Sequence, residues 1–283
     1  MTFKPCTLRI GGRETVLDRP WIMGILNVTP DSFYSGSRCA DEDTIRRRVT
    51  QLADEGADII DIGAYSSRPG AGDVSPEEEL RRLEQGMRIA SELAPAIPVS
   101  VDTFRAEVAR CAIEQLGADI INDISGGTLD PEMAQVVARH DVPYVLMHMR
   151  GTPATMQQLT DYDNVIDDVI GDLRVKIDRF HQAGVNQIIA DPGFGFAKTL
   201  GQSYRLMAHL ERFHSLGVPL LVGVSRKSMV YRLLGCTPED ALNGTTVLHT
   251  VALTAGAHIL RVHDVRAAVE ARTIVNALNE SLT

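Results

Sequence analysis

Apolar and polar positions along this chain follow one recurring pattern. A helical stretch stops at Gly-Ala or Gly-Val, and a short apolar run rich in β-branched residues follows, at 56–61, 117–122, 184–191, 217–222 and 256–262. Gly just past a helix takes the left-handed conformation that ends it. Runs that stay apolar at successive positions read as strands buried on both faces, the mark of a parallel sheet. Similar runs at 21–26, 98–101 and 142–147 bring the total to eight. Between them, 163–183 carries Ile166, Val169, Ile170, Leu173, Ile177 and Phe180 at helical spacing, a single stripe for packing on a sheet. Ser75-Pro76-Glu77-Glu78 reads as a capping box with Pro at the first helical position, and Asp130-Pro131 and Thr237-Pro238 repeat the cap-then-Pro signal. Eight strands alternating with helices predict an α/β fold, a (β/α)8 TIM barrel, with an open doubly wound sheet as the competing layout. Ahead of the first barrel strand, 7–10 and 13–17 flank Gly11-Gly12 and read as a β-hairpin covering one barrel end. The expected organisation is a single domain over 1–283, with the hairpin in 1–20 and the barrel in 21–283.

The residues that end the runs are Asn27, Asp61, Asp102, Asn122, His148, Asp191, Ser225 and His263. A parallel barrel gathers its strand C-termini on one face, where barrel enzymes carry their sites. Helix capping would account for any one of these residues; eight polar ends on one rim point to a shared site. The connections 29–43, 63–76 and 149–163 exceed the usual length of about 2–6 residues and contain Gly or Pro, so they read as lids. Strand seven leads into Ser225-Arg226-Lys227-Ser228. Lys227 is one of four lysines in the chain, at a helix start where backbone N–H groups and the helix dipole favour an anion. Arg226 and Lys227 therefore read as anion ligands. In strand eight Arg261 and His263 alternate with Val262, which aims both into the mouth. Asp191-Pro192-Gly193-Phe194-Gly195-Phe196 is a tight loop that presents aromatic rings beside a carboxylate. With Asp102 and Asn122 it describes a pocket for a flat, nitrogen-rich heterocycle bearing phosphate, because carboxylates accept paired N–H donors while Asn both donates and accepts. These residues leave the reaction open.

Composition narrows the class. With 283 residues, 44% hydrophobic and 23% charged, the chain is neither disordered nor a disulfide scaffold. A net charge of −9 argues against a nucleic-acid partner held by a general basic field, while leaving room for a local cationic pocket. Cys6, Cys39, Cys111 and Cys236 have no metal-ligand or CxxC spacing and read as idle thiols of a reducing compartment. No run approaches the ~18 apolar residues of a membrane span, and the N-terminus lacks a signal-peptide pattern, so the expected location is the cytoplasm.

In order along the chain, Asn27-Val28-Thr29-Pro30-Asp31-Ser32-Phe33, Ser66-Ser67-Arg68-Pro69-Gly70, Ser100-Val101-Asp102-Thr103, Ile121-Asn122-Asp123-Ile124, the Asp191–Phe196 loop, Ser225-Arg226-Lys227-Ser228 and Arg261-Val262-His263-Asp264-Val265 resemble the motif set of dihydropteroate synthase. The resemblance implies condensation of 6-hydroxymethyl-7,8-dihydropterin diphosphate with 4-aminobenzoate, giving dihydropteroate and diphosphate in folate biosynthesis, with Mg²⁺. It implies that Asp102, Asn122 and Asp191 hold the pterin ring, with Lys227 near its carbonyl and ring nitrogen, Met147 on the floor and Arg261 stacked on the ring. Asn27, Arg261 and His263 would hold the diphosphate, Asn27 also on Mg²⁺. Phe33, Ser67, Arg68, Pro69, Phe196 and Ser228 would shape the aminobenzoate site. Asp102, Asp191, Lys227, Arg261 and His263 carry the catalytic expectation. His148 and Cys39 are expected to be structural. The family also implies a homodimer through the last helices.

The chain departs from the family pattern in the second loop. Ala64-Tyr65-Ser66-Ser67-Arg68-Pro69-Gly70 stands where Gly-Glu-Ser-Thr-Arg-Pro-Gly is usual, and Ala197 stands where Gly is common. Ser67 keeps the hydroxyl and loses a methyl; Tyr65 removes a charge. Three rivals share parts of the pattern: a pterin-binding methyltransferase on the same barrel, a non-catalytic pterin-binding paralogue, and a generic phosphate-binding barrel isomerase. The first has no use for 66–69 or the diphosphate group, the second no reason to keep Lys227 and Arg261, and the third lacks a strand-end base away from the anion site.

Overall fold

Strands β1 (Cys6–Ile10) and β2 (Arg13–Leu17) pair antiparallel, joined through Gly11 and Gly12. Both glycines sit at positive φ, 57° and 74°, which a two-residue hairpin turn demands. The chain then alternates: β3 (Trp21–Asn27), α1 (Glu42–Asp54), β4 (Ile59–Gly63), α2 (Pro76–Leu93), β5 (Val99–Asp102), α3 (Ala106–Leu116), β6 (Ile120–Asp123), α4 (Met133–His140), β7 (Tyr144–Met147), α5 (Val165–Gln182), β8 (Ile188–Asp191), α6 (Leu200–Ala208), β9 (Leu221–Val222), α7 (Ser228–Leu234), α8 (Leu242–Thr254), β10 (Ile259–Val262) and α9 (Val265–Glu280). The computed structural model describes residues 3–29, 41–65 and 74–281.

The eight parallel strands follow the order β8-β7-β6-β5-β4-β3-β10-β9, and a parallel bridge between Ala190 and Leu220 closes the ring. The expected (β/α)8 barrel with its hairpin is what forms, and the open doubly wound sheet is excluded. The alternation of side chains along each strand then sorts the interior into layers. Met23, Ile59, Ile120, Val145, Ile189, Leu221 and Ile259 cluster with Leu8, Ile10 and Leu17 of the hairpin, forming an apolar floor. Two residues further on, on the same face, stand Ile25, Asp61, Asn122, Met147, Asp191, Gly223 and Arg261. One step of the strand period separates a dry floor from a ring of polar groups. The outward residues, such as Ile22, Ile60, Ile121, Ile188 and Leu260, pack with the helices in a second, larger cluster.

The α5 stripe forms as expected, with Ile166, Val169, Ile170, Leu173, Ile177 and Phe180 all buried. Three helix-start expectations need correction. The Ser75 side chain accepts from the Glu78 backbone, but Glu78 turns to Arg81 and Arg82, so the reciprocal half of the box is not made. Asp130-Pro131 opens a turn and α4 begins at Met133; one Asp130 oxygen accepts from the Glu132 backbone at 3.1 Å, and the other from the Ala106 backbone at the start of α3. Thr237-Pro238 also forms a turn, held by Thr237 Oγ1 donating to Asp240, ahead of α8. A reciprocal capping box does occur at Thr199 and Gln202, where α6 starts.

Candidate active site

The polar ring is organised by Arg261. Its Nε donates to Asp61 Oδ2 at 2.7 Å, and its terminal nitrogen reaches Asp61 Oδ2 at 2.6 Å and Asp102 Oδ2 at 2.7 Å. Strand register sets this up: Asp102 lies across from Gly63 on β4 and from Asn122 on β6, and Arg261 lies across from Met23 on β3. Asn122 Nδ2 donates to the Asp61 carboxylate at 3.3 Å. Asp61 is fully buried, whereas the Asp102 side chain is 22% exposed to the mouth. Burial pushes Asp102 up to about 7; Arg261 works against that push, while the Asp61, Glu79 and Asp123 carboxylates add to it. Burial costs Arg261 some of its charge preference, but Asp61 and Asp102 outweigh that and hold its guanidinium above the ordinary value.

Across the mouth, Asp191 Oδ1 accepts from the Gly193 backbone at 2.7 Å. Burial raises its carboxyl, opposed chiefly by Lys227. Lys227 Nζ donates to Phe194 O at 2.9 Å and lies 4.8 Å from the centre of the Phe196 ring. Burial draws the Lys227 amine down to about 8, against the pull of Asp191. Gly223 lies among these groups: a Cβ there would make ordinary contact with Lys227 Nζ at 3.7 Å, Arg261 Cβ at 3.8 Å and Asp191 Oδ2 at 4.0 Å. Met147 lies across from Asp191 on β7 and joins Phe196, Phe104 and Met156 in an apolar wall. Asn27 ends β3 across from Gly63, its Oδ1 3.3 Å from where a Gly63 Cβ would stand. His263 is buried beyond β10; its backbone N–H donates to Ser225 Oγ and its carbonyl accepts from Arg48. Burial, then Arg261, Arg48, Arg226 and Lys227, hold the His263 imidazole well below its usual range, so it is neutral at pH 7. Ser228 opens α7 beside Lys227.

The structure thus brings together Asn27, Asp102, Asn122, Met147, Asp191, Phe196, Lys227, Ser228, Arg261 and His263 around one opening. Phe33, Ser67, Arg68 and Pro69 lie outside the described residues, as does Cys39. Two expectations change. Arg226 is not an anion ligand: it forms a two-pronged pair with Asp264 at 2.8 and 2.9 Å and donates to Pro238 O, clamping the loop that precedes α8. The Phe194 ring is fully buried in the outer core, so only its carbonyl faces the site, while Phe196 supplies the aromatic wall. Tyr65, the departure in the second loop, packs edge-on against Phe104 at 5.1 Å with the Arg105 guanidinium 5.1 Å from its ring centre. Arg105 in turn pairs with the buried Glu79, which also accepts from Thr103 Oγ1 at 2.7 Å. Sequence reasoning saw Asp61 only as a strand end. The signal that would have placed it was the shared pattern of 59–61, 120–122 and 189–191, each an inward isoleucine followed two residues later by an inward polar group.

Residues 23–263 match the family described as pterin binding enzyme. The dihydropteroate synthase of Synechocystis sp. is 44% identical over 283 residues, covering 97% of this chain and 96% of its own length. The chain belongs to the dihydropteroate synthase family. A dihydropteroate synthase from Yersinia pestis, solved with a sulfonamide drug complex, superposes with a TM-score of 0.90 at 40% identity, over 97% of this chain and 100% of that one. A dihydropteroate synthase from Xanthomonas albilineans, solved with 4-aminobenzoic acid, superposes at 0.87 and 42% identity, over 97% and 98%. As a member of the dihydropteroate synthase family the chain is a transferase built on a TIM barrel. Among the described residues no helix is long and apolar enough to cross a membrane.

Proposed function

We propose that this chain condenses 6-hydroxymethyl-7,8-dihydropterin diphosphate with 4-aminobenzoate, giving 7,8-dihydropteroate and diphosphate. The observation that carries the reading is the ring above the apolar floor. It sets three carboxylates, one amide and two half-buried cations around one opening, on a barrel whose Xanthomonas relative was solved with 4-aminobenzoic acid.

Asp102, Asn122 and Asp191 offer acceptors for the ring N–H groups of the pterin, and Asn122 also donates. Lys227 offers a donor to the ring carbonyl, and Met147 an apolar floor. Arg261 is stored on Asp61 and Asp102. A pterin seated on Asp102 takes over that carboxylate and frees one edge of the guanidinium for the diphosphate and a face for stacking on the ring. The bond from the pterin methylene to the diphosphate oxygen breaks, and its electron pair leaves with diphosphate. The ring delocalises the resulting cation, which the neighbouring carboxylates favour. The amine lone pair of 4-aminobenzoate then forms the new C–N bond, and its extra proton passes to solvent or diphosphate. Phe196 and Ser228, with Phe33, Ser67, Arg68 and Pro69, are assigned to the aminobenzoate side. Neutral His263 donates one N–H to the diphosphate.

Magnesium fits this donor set in one manner. The hard ion keeps most of its water and takes one or two protein oxygens beside phosphate oxygens. Among the described residues no group of three His, Cys, Asp or Glu offers a closed cage, while Asn27 brings an amide oxygen to the end of β3, beside Gly63. Asn27 would hold Mg²⁺ together with the diphosphate, and the bound ion would supply charge neutralisation for the leaving group.

Two copies are assigned to a homodimer through α7–α9. Val247 and Val251 are exposed one turn apart on α8, Ile274 and Leu278 likewise on the adjacent α9, and Leu233 and Leu234 are exposed on α7. A surface this apolar calls for a partner. The cytoplasm is the assigned location.

The deciding experiment supplies purified protein with Mg²⁺ and both substrates. Release of diphosphate and formation of dihydropteroate are expected, with no dihydropteroate when 4-aminobenzoate is omitted. Correctly folded protein that stays silent with both substrates overturns the reading.

A further inference from the structure

The loop that carries the aromatic wall is tied at every carbonyl. Gly193 O and Phe196 O accept from Lys198 Nζ at 3.0 and 2.9 Å, Phe194 O from Lys227 at 2.9 Å, Gly195 O from Gln157 at 3.1 Å, and Ala197 O from Tyr162 at 2.9 Å. Lys198 alone holds two of these, one at each end of the aromatic segment, and it is only 4% exposed. It makes a third contact with His148 Nδ1 at 2.9 Å. The other ring nitrogen of His148, Nε2, faces Asp172 Oδ2 at 3.8 Å. Burial and the nearby Lys198, Lys176 and Arg150 charges hold His148 well below its usual range, and burial draws the Lys198 amine well below its own.

A buried amine is a costly way to stabilise a fold, since an apolar side chain of similar volume avoids the desolvation entirely. What Lys198 provides instead is placement. It draws both ends of the 193–196 segment toward the barrel wall. Gly193, at φ +69°, passes so close to β7 that a Cβ there would run into the His148 carbonyl oxygen. The segment has no slack on that side. Its remaining freedom is to swing into the mouth, and the Lys198 tether removes it.

We propose that Lys198, seated on His148, is a positioning residue for the reaction: it fixes the 193–196 segment so that the Phe196 ring and the Phe194 carbonyl, on which Lys227 rests, stand where the second substrate docks. This deepens the proposed function and rests on it for the identity of that substrate.

The test pairs Lys198→Met with Phe196→Ala in a double-mutant cycle, with wild-type turnover as the control. If Lys198 acts through Phe196, Lys198→Met raises the KM for 4-aminobenzoate about fivefold or more in the wild-type background and less than about twofold in the Phe196→Ala background. Equal factors in both backgrounds, or no change in either, overturn the proposal. Amide hydrogen exchange reads the same tether without turnover: in Lys198→Met, exchange across 193–197 rises about tenfold or more while the barrel strands keep their protection. Unchanged exchange there overturns the proposal even if the wild-type enzyme proves inactive, and that inactivity would refute only the assigned reaction. Should Lys198→Met fail to fold, His148→Asn, which keeps an acceptor near Nδ1, is expected to match wild type in KM, and His148→Leu to raise it. Equal behaviour of those two variants overturns the proposal.

Discussion

Asp61→Asn is the sharpest probe of the ring. Asp61 is fully buried and accepts both the Nε and a terminal nitrogen of Arg261, at 2.7 and 2.6 Å, with Asn122 Nδ2 at 3.3 Å. Asn fills the same volume but leaves one oxygen for three donors and turns an NH2 toward one of them. A hydrogen bond to a charged partner contributes about 1.5–3 kcal/mol. At 1.36 kcal/mol per decade, losing one such bond at the reacting centre lowers kcat/KM by roughly 10- to 150-fold. The change also has a pH signature. Asp102 stands at about 7 partly because Asp61 carries a like charge beside it, and the two share Arg261. With position 61 neutral, Asp102 loses the repulsion and gains the guanidinium undivided, and both effects lower its pKa. The acid limb of the pH–rate profile, where Asp102 becomes protonated and inactive, therefore moves to lower pH even as the plateau falls. The assay is diphosphate release across pH 5–9, with thermal unfolding as the check on the fold. A plateau within about twofold of wild type, or an acid limb that moves upward, refutes the placement of Asp61 in the site.

Three further outcomes are expected. His249 is buried, neither ring nitrogen finds a hydrogen-bond partner among the described residues, and burial holds it at about 4, so wild-type stability falls as pH drops from about 6.5 toward 4; His249→Leu should unfold later at pH 7 and lose about 3 kcal/mol less than wild type over that interval, as read by denaturant melts at each pH. Ala197 is held at φ +50°, so Ala197→Gly should leave turnover intact and raise the unfolding free energy by up to about 1 kcal/mol, and a loss of stability would show that the left-handed backbone there is unstrained. Val251→Glu with Ile274→Glu should shift the chain from dimer to monomer in sedimentation, and an unchanged dimer would move the interface elsewhere.

The barrel was legible because its strands are buried on both faces and its helices end at glycine, both of which leave marks on composition within a few residues. The ring was legible as a list of strand ends and not as a network. Nothing local ties Arg261 to Asp61 across 200 positions of chain; only closure of β10 onto β3 and of β3 onto β4 does so. Arg226 misled because its charge and its place after strand seven fit an anion ligand, while Asp264, which captures it, arrives from the far side of β10. Asp130 and Thr237 misled in a related way: a cap residue before proline marks a turn as readily as a helix start, and the Asp130 carboxylate is shared between Glu132 and the distant Ala106. Lys198 was invisible as a functional residue because its role lies in three contacts, one of them to a histidine 50 residues away.

The hairpin described at the outset makes the barrel a cul-de-sac. With Leu8, Ile10 and Leu17 sealing the floor, traffic to Asp61, Asn122 and Asp191 comes from the opposite end, and whatever occupies that threshold blocks the chamber behind it. On the proposed reaction, the molecule that lodges deepest is expected to arrive first, and the one nearer Phe196 second. The joined product, spanning both berths, then has to back out before another round begins.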